Sequence, residues 1–470
     1  MASFFFYDLE TSGISPYSSR IMQFAGQRTD MNLKPIGKAY NFLIKLSEDV
    51  LPEPDAILLT GITPQQTLRD GVSEAEFFRT FYNEIVTPET IFLGFNSVRF
   101  DDAFMRFGMY RNFYDAYEWQ WKEGASRWDI LDLVRITRAL RPEGIKWPFA
   151  SDGKASNRFE LLSSLNKLEH NAAHDALSDV NATIAVAKMI KTQQPKLFNY
   201  LLSLRAKKDV VKFVDENPIF VYVSGRYSTE SEKLALVSVI GEAENQGFLV
   251  YDLSQDPNEI VKLSEADMKK RMRWSRDDEI LPLPIKTLRA NRCPAIAPLN
   301  TLTKSDQTRL NIDLKLAQDN YQKLESTKTE ILEKYRRAAE QTTKLKQAEF
   351  LNDERNVESQ LYDGFISNYD KDLFVKARSD VALKSSDFYK NFADARLKNL
   401  WPLYKARNFP KYLSDDEQVN WQNYKNQKIA LQAPKFVARI NELANQKLSP
   451  EKTYILEELN LYAQSLAELG

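Results

Sequence analysis

The sequence predicts three consecutive folded parts: an α/β domain at the front of the chain, a small β-rich domain after it, and an α-helical region at the end. Up to about residue 190, strand-like runs are followed by interleaved helical periodicity, which is typical of α/β domains. Short β-branched or aromatic runs separated by turn residues come next, and helical segments make up the last third. A length of 470 residues agrees, since a domain averages roughly 150 residues.

The composition indicates a folded protein and excludes several classes. Hydrophobic residues make up 43% and charged residues 27%, and the mean hydropathy is −0.47. This mix can bury several cores, and it excludes a wholly disordered, collagen-like or coiled-coil chain. No apolar run approaches the roughly 20 residues that span a bilayer. Asp8 and Glu10 occur before any signal-peptide pattern is complete, so we expect a cytoplasmic protein without membrane association.

The cysteine and histidine counts limit the metal sites that the chain can build. Cys293 is the only cysteine, which excludes an intramolecular disulfide, and His170 and His174 are the only histidines. One cysteine and two histidines cannot form a Cys/His zinc cluster. Any metal is therefore expected to bind mainly to carboxylates.

The first domain begins with a buried strand. Residues 3–10 are rich in aromatic side chains, and the Thr-Ser-Gly-Ile-Ser-Pro sequence that follows predicts a turn. The proline-rich segment 51–64 is expected to interrupt regular structure. The other predicted strands are 21–28, 39–44 and 90–95, and the predicted helices are 73–86, 129–140 and 175–190.

The second and third domains are predicted from a change in residue composition and hydrophobic pattern after Pro195. The predicted strands are 219–224, 235–240 and 247–253; polar helix formers then dominate 306–345, residues 344–359 are a candidate charged linker, and helical segments follow from Gln360. The predicted domains are accordingly 1–190, 195–345 and 350–470.

Two carboxylates on the first strand are the first candidates for chemistry. Asp8 and Glu10 are two residues apart, and the period of two in a strand places both on the same face. Neighbouring carboxylates inside a fold repel each other unless a cation joins them, and oxygen ligands favour Mg²⁺ or Mn²⁺. The alternative is a strand end whose acidic side chains reach solvent.

Further candidates lie later in the first domain. Asp101 follows the predicted strand 90–95, at the carboxyl end where sites in α/β sheets are usually found, and its neighbour Asp102 is the alternative. His174 and Asp179 are five residues apart, which would direct them about 140° apart on one straight helix. We therefore expect His174 to lie in the loop before the last helix. His170 has no acidic partner at a recognisable spacing and is interpreted as structural.

Together these motifs are more specific than any one of them. Asp8-Leu-Glu-Thr, then Asn-x-x-x-Phe-Asp101, then His174-x-x-x-x-Asp179 occur in this order in one domain. The sequence thereby resembles the DEDD exonucleases in their histidine variant, and over essentially its whole length it is similar to the bacterial exodeoxyribonuclease I family. Further segments that carry the resemblance are Leu59 to Gln65, Ser126 to Asp132, Leu140 to Ile145, Gln360 to Phe365 and Arg407 to Pro410.

The resemblance implies a role for each candidate residue. Asp8, Glu10 and Asp179 become metal ligands, Asp101 completes the acidic set, and His174 becomes the general base, so that all five are expected to be catalytic. The implied cofactor is a pair of Mg²⁺ ions, with Mn²⁺ as a substitute, which bind the scissile phosphate. His174 is suited to its role because the ordinary pKa of histidine is near 6.5, so the ring is neutral at pH 7.

The resemblance also implies a fold and a reaction. The expected fold is an α/β ribonuclease H-like exonuclease domain, a small SH3-like β domain and an α-helical C-terminal domain around single-stranded DNA. The expected reaction is 3′ to 5′ removal of 5′-mononucleotides from single-stranded DNA, in repair and recombination. Two alternatives are an RNA-trimming 3′ to 5′ exonuclease and a non-catalytic adaptor for single-stranded DNA and its binding protein. The extra length of the chain argues against the first, and the intact acidic set argues against the second.

The expected DNA contacts are cationic and aromatic side chains of the first domain. The candidates, in addition to Glu10, are Arg106, Tyr117, Trp121, Arg135 and Arg158. Arginine binds phosphates and aromatic faces stack on any base, which suits an enzyme without sequence preference. A surface ion pair is the alternative for Arg158, and core packing is the alternative for Trp121. A later aromatic and basic stretch is expected to line the far side of the DNA groove: Trp401, Tyr404, Lys405, Arg407, Tyr424, Lys425 and Lys428.

A protein partner is also implied by the resemblance. Relatives bind the acidic C-terminal tail of single-stranded DNA-binding protein in a basic pocket beside an apolar one, and Arg141 is the candidate here. An arginine is chemically suited to bind a carboxylate tail. The chain is expected to be a monomer.

Overall fold

The computed structural model describes residues 2–168, 175–243, 247–272, 280–351 and 356–468, with the backbone alone at 341–351 and 467–468. The chain forms two compact units. The first consists of the described residues within 1–126, 170–184 and 355–470, and the second of those within 127–169 and 185–354. Among the described residues, no helix has the length and apolar character needed to cross a lipid bilayer.

All seven predicted strands occur among the described residues, and three further strands, at 126–129, 285–289 and 295–298, were not predicted. In chain order they are β1 Ser3–Thr11, β2 Ile21–Thr29, β3 Tyr40–Leu43, β4 Thr90–Gly94, β5 Ser126–Asp129, β6 Phe220–Val223, β7 Leu234–Ala243, β8 Gly247–Asp252, β9 Ile285–Arg289 and β10 Ala295–Pro298. In the first unit the sheet order is β3-β2-β1-β4. β2 is antiparallel to both β1 and β3, whereas β4 is parallel to β1.

Alternation along β1 positions the candidate carboxylates. Phe5, Tyr7 and Leu9 belong to an aromatic core. Because successive side chains in a strand point to opposite faces, Asp8 and Glu10 share the other face of the sheet. The Tyr7 hydroxyl donates a hydrogen bond of 2.5 Å to Asp102 Oδ1, which ties β1 to the helix that follows β4. The strand is thus fixed on one face by packing, and it presents two carboxylates on the other.

The helices include several that the sequence did not reveal. In chain order they are α1 Pro54–Thr60, α2 Pro64–Asp70, α3 Glu74–Thr80, α4 Asp101–Arg111, α5 Ile130–Leu140, α6 Phe159–Leu165, α7 Ala176–Gln193, α8 Pro195–Ser203, α9 Lys207–Glu216, α10 Pro257–Val261, α11 Glu265–Met272, α12 Lys304–Arg309, α13 Leu314–Leu351, α14 Asn368–Ala377, α15 Asp380–Leu383, α16 Ala395–Asn408, α17 Asp415–Ala444 and α18 Pro450–Glu468. The prediction that segment 51–64 is irregular was wrong, because Pro54 and Pro64 occupy first-turn positions, where proline is compatible with a helix.

The second unit contains an antiparallel sheet in the order β10-β6-β7-β8-β9. The long helix α13 packs against β7, α10 and α11. Gly241 of β7 permits a close approach, since a Cβ there would lie 2.7 Å from Leu332. The predicted charged linker at 344–359 was wrong over its first half, because α13 continues to Leu351. Lys, Gln, Ala and Glu favour a helix as readily as a solvated linker.

The C-terminal helices pack in the first unit against two parts of the N-terminal chain. Leu397, Leu400 and Trp401 of α16 share a core with Phe107 and Phe113, which lie in and just after α4. A separate core joins α17 and α18 to α1 and to the end of β3. The end of the chain is helical, as predicted. It belongs to the unit that carries β1.

Candidate active site

Three of the predicted metal ligands meet at one point of the first unit. One carboxylate oxygen from each of Asp8, Glu10 and Asp179 lies within 4.8 Å of the other two. Asp8 and Glu10 come from β1, and Asp179 comes from the first turns of α7. We call this group the carboxylate triad. Three converging oxygen ligands are the donor set that a hard divalent cation prefers, so these residues fit a Mg²⁺ or Mn²⁺ ion.

Without a cation the triad is electrostatically unfavourable. Burial, followed by the charges of Asp179 and Asp175, raises the pKa of Asp8 well above its usual value. Burial and the charges of Asp8, Asp179 and Asp175 raise the pKa of Glu10 to about 9. Asp8 and Glu10 thus resist ionisation next to their charged neighbours. A divalent cation removes this conflict, which is a physical reason for metal binding.

We expect the metal-free protein to become less stable between pH 6 and 8.5. Folded Glu10 keeps its proton up to about pH 9, whereas the unfolded chain releases it near 4.5. The folded state therefore binds more protons than the unfolded state in this range, and the free energy of unfolding falls as the pH rises. Urea unfolding in EDTA at both pH values measures this slope. Glu10→Gln removes one of the two groups with a raised pKa and should reduce the slope; an equally steep slope in this variant would contradict the assignment.

The start of α7 is fixed to the sheet by Gln23, which the sequence analysis missed. Gln23 Nε2 donates to Asp175 Oδ1 at 3.2 Å, and the Ala176 N–H donates to Gln23 Oε1 at 3.4 Å. The Ser178 N–H in turn donates to Asp175 Oδ2 at 3.1 Å. These contacts orient the turn that carries Asp179. Gln23 is the cross-strand neighbour of Glu10. The alternation of side chains along β2 could therefore have indicated that Gln23 lies on the same face of the sheet as Glu10.

Asp101 and Asp102 differ in their surroundings. Both are buried in the first turn of α4. Asp102 accepts hydrogen bonds from the Tyr7 hydroxyl and from Arg106 Nη2, at 2.5 and 3.5 Å, which gives it a structural function in the core. This observation favours Asp101 over Asp102 as the fourth acid. The carboxylate triad, as defined by the 4.8 Å distance, does not include Asp101.

His174 and His170 lie outside the described residues. The expectation that His174 lies in the loop before the last helix stays a prediction. The assignment of His174 as general base also stays a prediction.

The predicted DNA contacts are distributed over both units. In the first unit, the Arg106 guanidinium lies 5.9 Å from the centroid of the Tyr117 ring, and Trp121 is 62% exposed. Core packing is therefore excluded for Trp121; its neighbour Trp119 is the buried tryptophan. In the second unit, Arg135 Nη1 lies 2.8 Å from Asp132 Oδ1, whereas Arg158 is exposed just before α6 and forms no ion pair with any described residue.

The expected groove wall in the last third of the chain was wrong. Trp401, Tyr404, Lys405 and Lys425 are buried. Lys405 pairs with Glu417, and Arg407 pairs with Asp49 and Glu358. These buried cations pair with carboxylates of the same unit, so they stabilise the interior instead of facing a polyanion.

The predicted partner contact Arg141 lies in the second unit. It is partly exposed, lies 3.6 Å from Asp306 Oδ2, and donates from Nη2 to the Thr301 carbonyl at 3.0 Å. Arg309 is equally exposed and lies 3.1 Å from Asp306 Oδ1. Two arginines thus share one carboxylate, a pairing that the sequence analysis missed.

An α/β sheet with a partly buried carboxylate triad is suited to a metal-dependent enzyme, and comparisons with known proteins specify which kind. Residues 5–187 match the family model "Exonuclease", residues 205–341 match "Exonuclease I SH3-like domain", and residues 355–466 match "Exonuclease I C-terminal domain". The chain is 38% identical to exodeoxyribonuclease I of Haemophilus influenzae, covering 99% of this chain and 98% of that protein. The chain belongs to the exodeoxyribonuclease I family.

Solved structures give the same result. Exonuclease I from Methylocaldum szegediense superposes with a TM-score of 0.89 at 36% identity, covering 99% of this chain and 100% of that chain. The zinc-bound Escherichia coli enzyme in complex with single-stranded DNA superposes with a TM-score of 0.91 at 34% identity, again covering 99% and 100%. The predicted fold class and the predicted enzyme class, a 3′ to 5′ exonuclease, are confirmed. The family and the triad together establish that the enzyme uses a divalent metal.

Proposed function

We propose that this enzyme removes 5′-mononucleotides one at a time from the 3′ end of single-stranded DNA, in DNA repair and recombination. The observation that carries the reaction is the convergence of Asp8, Glu10 and Asp179, in a chain that belongs to this family. Single-stranded DNA is the substrate because structural relatives over the full chain bind it.

The residues of the site divide the chemical work. Asp8, Glu10 and Asp179 hold the metal, Glu10 also lies against the substrate, and Asp101 adds a fourth negative charge. Two Mg²⁺ ions, with Mn²⁺ as a substitute, would supply a Lewis acid for the attacking water and for the leaving 3′ oxygen. His174 accepts the proton of the attacking water at a ring nitrogen. Gln23 and Asp175 keep the start of α7 in place for Asp179.

We assign strand binding to the remaining predicted residues. Tyr117 and Trp121 offer aromatic faces on which bases of any sequence stack, and Arg106 beside Tyr117 attracts the phosphate backbone. Arg158, exposed and without a carboxylate partner among the described residues, is a phosphate contact, and so is Arg135. None of these contacts reads a base edge, which suits an enzyme that degrades any sequence.

The reaction is tested with 5′-labelled single-stranded DNA, duplex DNA and RNA of one sequence, incubated with Mg²⁺ or EDTA and resolved on a gel. We expect progressive shortening of single-stranded DNA from its 3′ end in Mg²⁺ only. RNA shortened equally well would favour the RNA-trimming alternative. Tight binding of single-stranded DNA without cleavage in either Mg²⁺ or Mn²⁺ would favour the adaptor.

We further propose that Arg141 binds the acidic C-terminal tail of single-stranded DNA-binding protein, together with Arg309. The support is chemical: both guanidinium groups are partly exposed, and one carboxylate, that of Asp306, lies between them. A pair of arginines sharing one carboxylate retains positive charge for a second one, such as a peptide C-terminus.

We expect Arg141→Ala to weaken binding of a fluorescent acidic tail peptide by at least about tenfold, because a charge-assisted contact is lost. Arg309→Ala should have a similar effect. Arg289→Ala, an exposed arginine of the same unit, is the matched control. Fluorescence anisotropy measures the affinities, and circular dichroism verifies the fold of each variant. Unchanged affinity in both Arg141→Ala and Arg309→Ala would place the tail elsewhere.

The remaining assignments complete the proposal. We place the domains at 1–190, 195–345 and 350–470, supported by family matches over 5–187, 205–341 and 355–466. The protein is proposed to act as a monomer in the cytoplasm, and the single cysteine fits a reducing compartment.

A further inference from the structure

We propose that the first unit contains a second binding site, for a nucleoside 5′-monophosphate, in a cavity of about 360 Å³. Arg20, Lys45, Arg407 and Trp421 are among the residues that line it. No member of the carboxylate triad does. The site is therefore distinct from the one that cleaves DNA.

The cavity adjoins a buried group of ion pairs with an excess of positive charge. We call this group the ion cluster; it consists of Arg20, Arg111, Arg407 and Lys428 with Asp49, Glu74 and Glu358. The shortest contacts, Arg20 to Glu358, Arg111 to Glu74 and Arg407 to Asp49, measure 2.7 Å. Lys428 lies 2.5 Å from Asp49 and 3.1 Å from Glu358.

Four cations thus face three carboxylates where the side chains are largely excluded from water. The groups at the edge do not remove the excess, since Lys45 and Lys425 accompany the single carboxylate of Glu48. A buried cation without a counter-charge is unfavourable. An anion in the cavity restores the balance.

Arg20 is the most deeply buried cation that lines the cavity. Its Nη2 donates to Glu358 at 2.7 Å, and its Nη1 donates to the carbonyls of Tyr17, Ser18 and Ser19 at 3.5, 3.3 and 3.1 Å. The Nε atom is buried and has no hydrogen-bond partner among the described residues. A buried donor without an acceptor is rare in folded proteins. Arg20 also lines the cavity, so its buried guanidinium favours an anion there through its charge.

Trp421 indicates what else the ligand carries. Its indole is a partly exposed wall of the cavity, and the Arg407 guanidinium lies 5.8 Å from the ring centroid. An aromatic face beside arginine donors binds a planar base that carries a phosphoryl group. The volume suits a small molecule, whose pockets measure about 300–1,000 Å³. The choice of a nucleoside 5′-monophosphate rests on the proposed function, because this molecule is the product of that reaction. The inference that the cavity binds an anion does not depend on the proposed function.

Isothermal titration calorimetry of the full-length protein with dAMP and with inorganic phosphate tests this site. EDTA is present throughout, so that the carboxylate triad repels both anions, and chloride maintains the ionic strength. We expect saturable binding of both ligands, with dAMP the tighter. Arg20 is kept intact, because its replacement would disturb the ion cluster itself.

Two variants at accessible positions locate the ligand. Trp421→Leu should weaken dAMP by at least about fivefold and leave phosphate unchanged, since only the stacking face is lost. Lys45→Gln should weaken both ligands by about threefold, since a nearby charge is lost. Lys34→Gln, an exposed lysine outside the cavity, is the matched control for Lys45.

The outcomes of these binding experiments can be distinguished from a failure of the proposed exonuclease function. Absence of saturable binding of either anion, or equal affinities in wild type, Trp421→Leu and Lys45→Gln, would overturn the proposal. Phosphate binding without dAMP binding would overturn the nucleotide assignment. The cleavage of single-stranded DNA by Trp421→Leu should proceed at the wild-type rate. Failure of the wild-type protein to cleave DNA in Mg²⁺, with dAMP binding intact, would contradict the proposed function alone.

Discussion

Asp179→Asn is expected to abolish cleavage, lowering the rate on single-stranded DNA by at least about a thousandfold, or about 4 kcal/mol of transition-state stabilisation. Asp179 is the member of the carboxylate triad that comes from α7, and the other two come from β1. Asparagine retains the shape of the side chain and removes its charge. The triad then has too little negative charge to hold its cations in position.

The same substitution should make the metal-free protein more stable. The charge of Asp179 is one of the causes of the raised pKa of both Asp8 and Glu10, so its removal relieves repulsion. Loss of activity together with a higher unfolding temperature in EDTA would be the signature of a metal site. Replacement of a residue that only supports the fold would instead lower both the activity and the unfolding temperature.

Single-turnover cleavage and DNA binding by fluorescence anisotropy in EDTA separate the two effects. Binding should be largely retained, because the aromatic and arginine contacts are intact. Asp152→Asn, an exposed aspartate paired with Lys154, is the matched control and should behave as wild type. If Asp179→Asn retained cleavage, or lost DNA affinity to the same extent as cleavage, the assignment of Asp179 as a metal ligand would fail.

Glu358→Gln is expected to have the largest effect on stability, lowering the free energy of unfolding by about 3–5 kcal/mol. Glu358 is 1% exposed and lies 2.7 Å from Arg20, 2.8 Å from Arg407 and 3.1 Å from Lys428. Burial alone would raise the pKa of Glu358, but these three cations outweigh it and hold the pKa below its usual value. Glutamine leaves the cations buried and without their shared counter-charge.

Urea unfolding at pH 7 measures this effect. Glu259→Gln removes an exposed partner of Lys262 and should change the stability by less than about 1 kcal/mol. Because the folded-state pKa of Glu358 is depressed, its stabilisation is present above the pKa of the unfolded chain and is lost as the pH falls. The difference between wild type and Glu358→Gln should therefore shrink in acid. Equal stability of the two proteins at pH 7 would contradict a stabilising role for the ion cluster.

Local pattern was sufficient for seven of the strands and for the two carboxylates of β1, but it missed β5, β9 and β10. Alternation placed Asp8 and Glu10 on one face of β1, because the side-chain period of a strand does not depend on the rest of the fold. The order and spacing of the motifs identified the family. Short helices such as α1 and α4 were missed, because prolines and adjacent aspartates are compatible with both a first turn and a loop.

The family, the order of the folded parts and the carboxylates of two local motifs can all be predicted from the amino-acid sequence. The tertiary structure alone decided which charges face solvent. The sequence around Arg407 and Lys428 is typical of a basic surface, yet both side chains pair with Asp49, more than 350 residues earlier, in the interior. Likewise, Asp175 reaches Gln23 across 152 residues. Pairing over such separations follows from how strands and helices pack, and burial, which makes each pair strong, is a property of the folded chain.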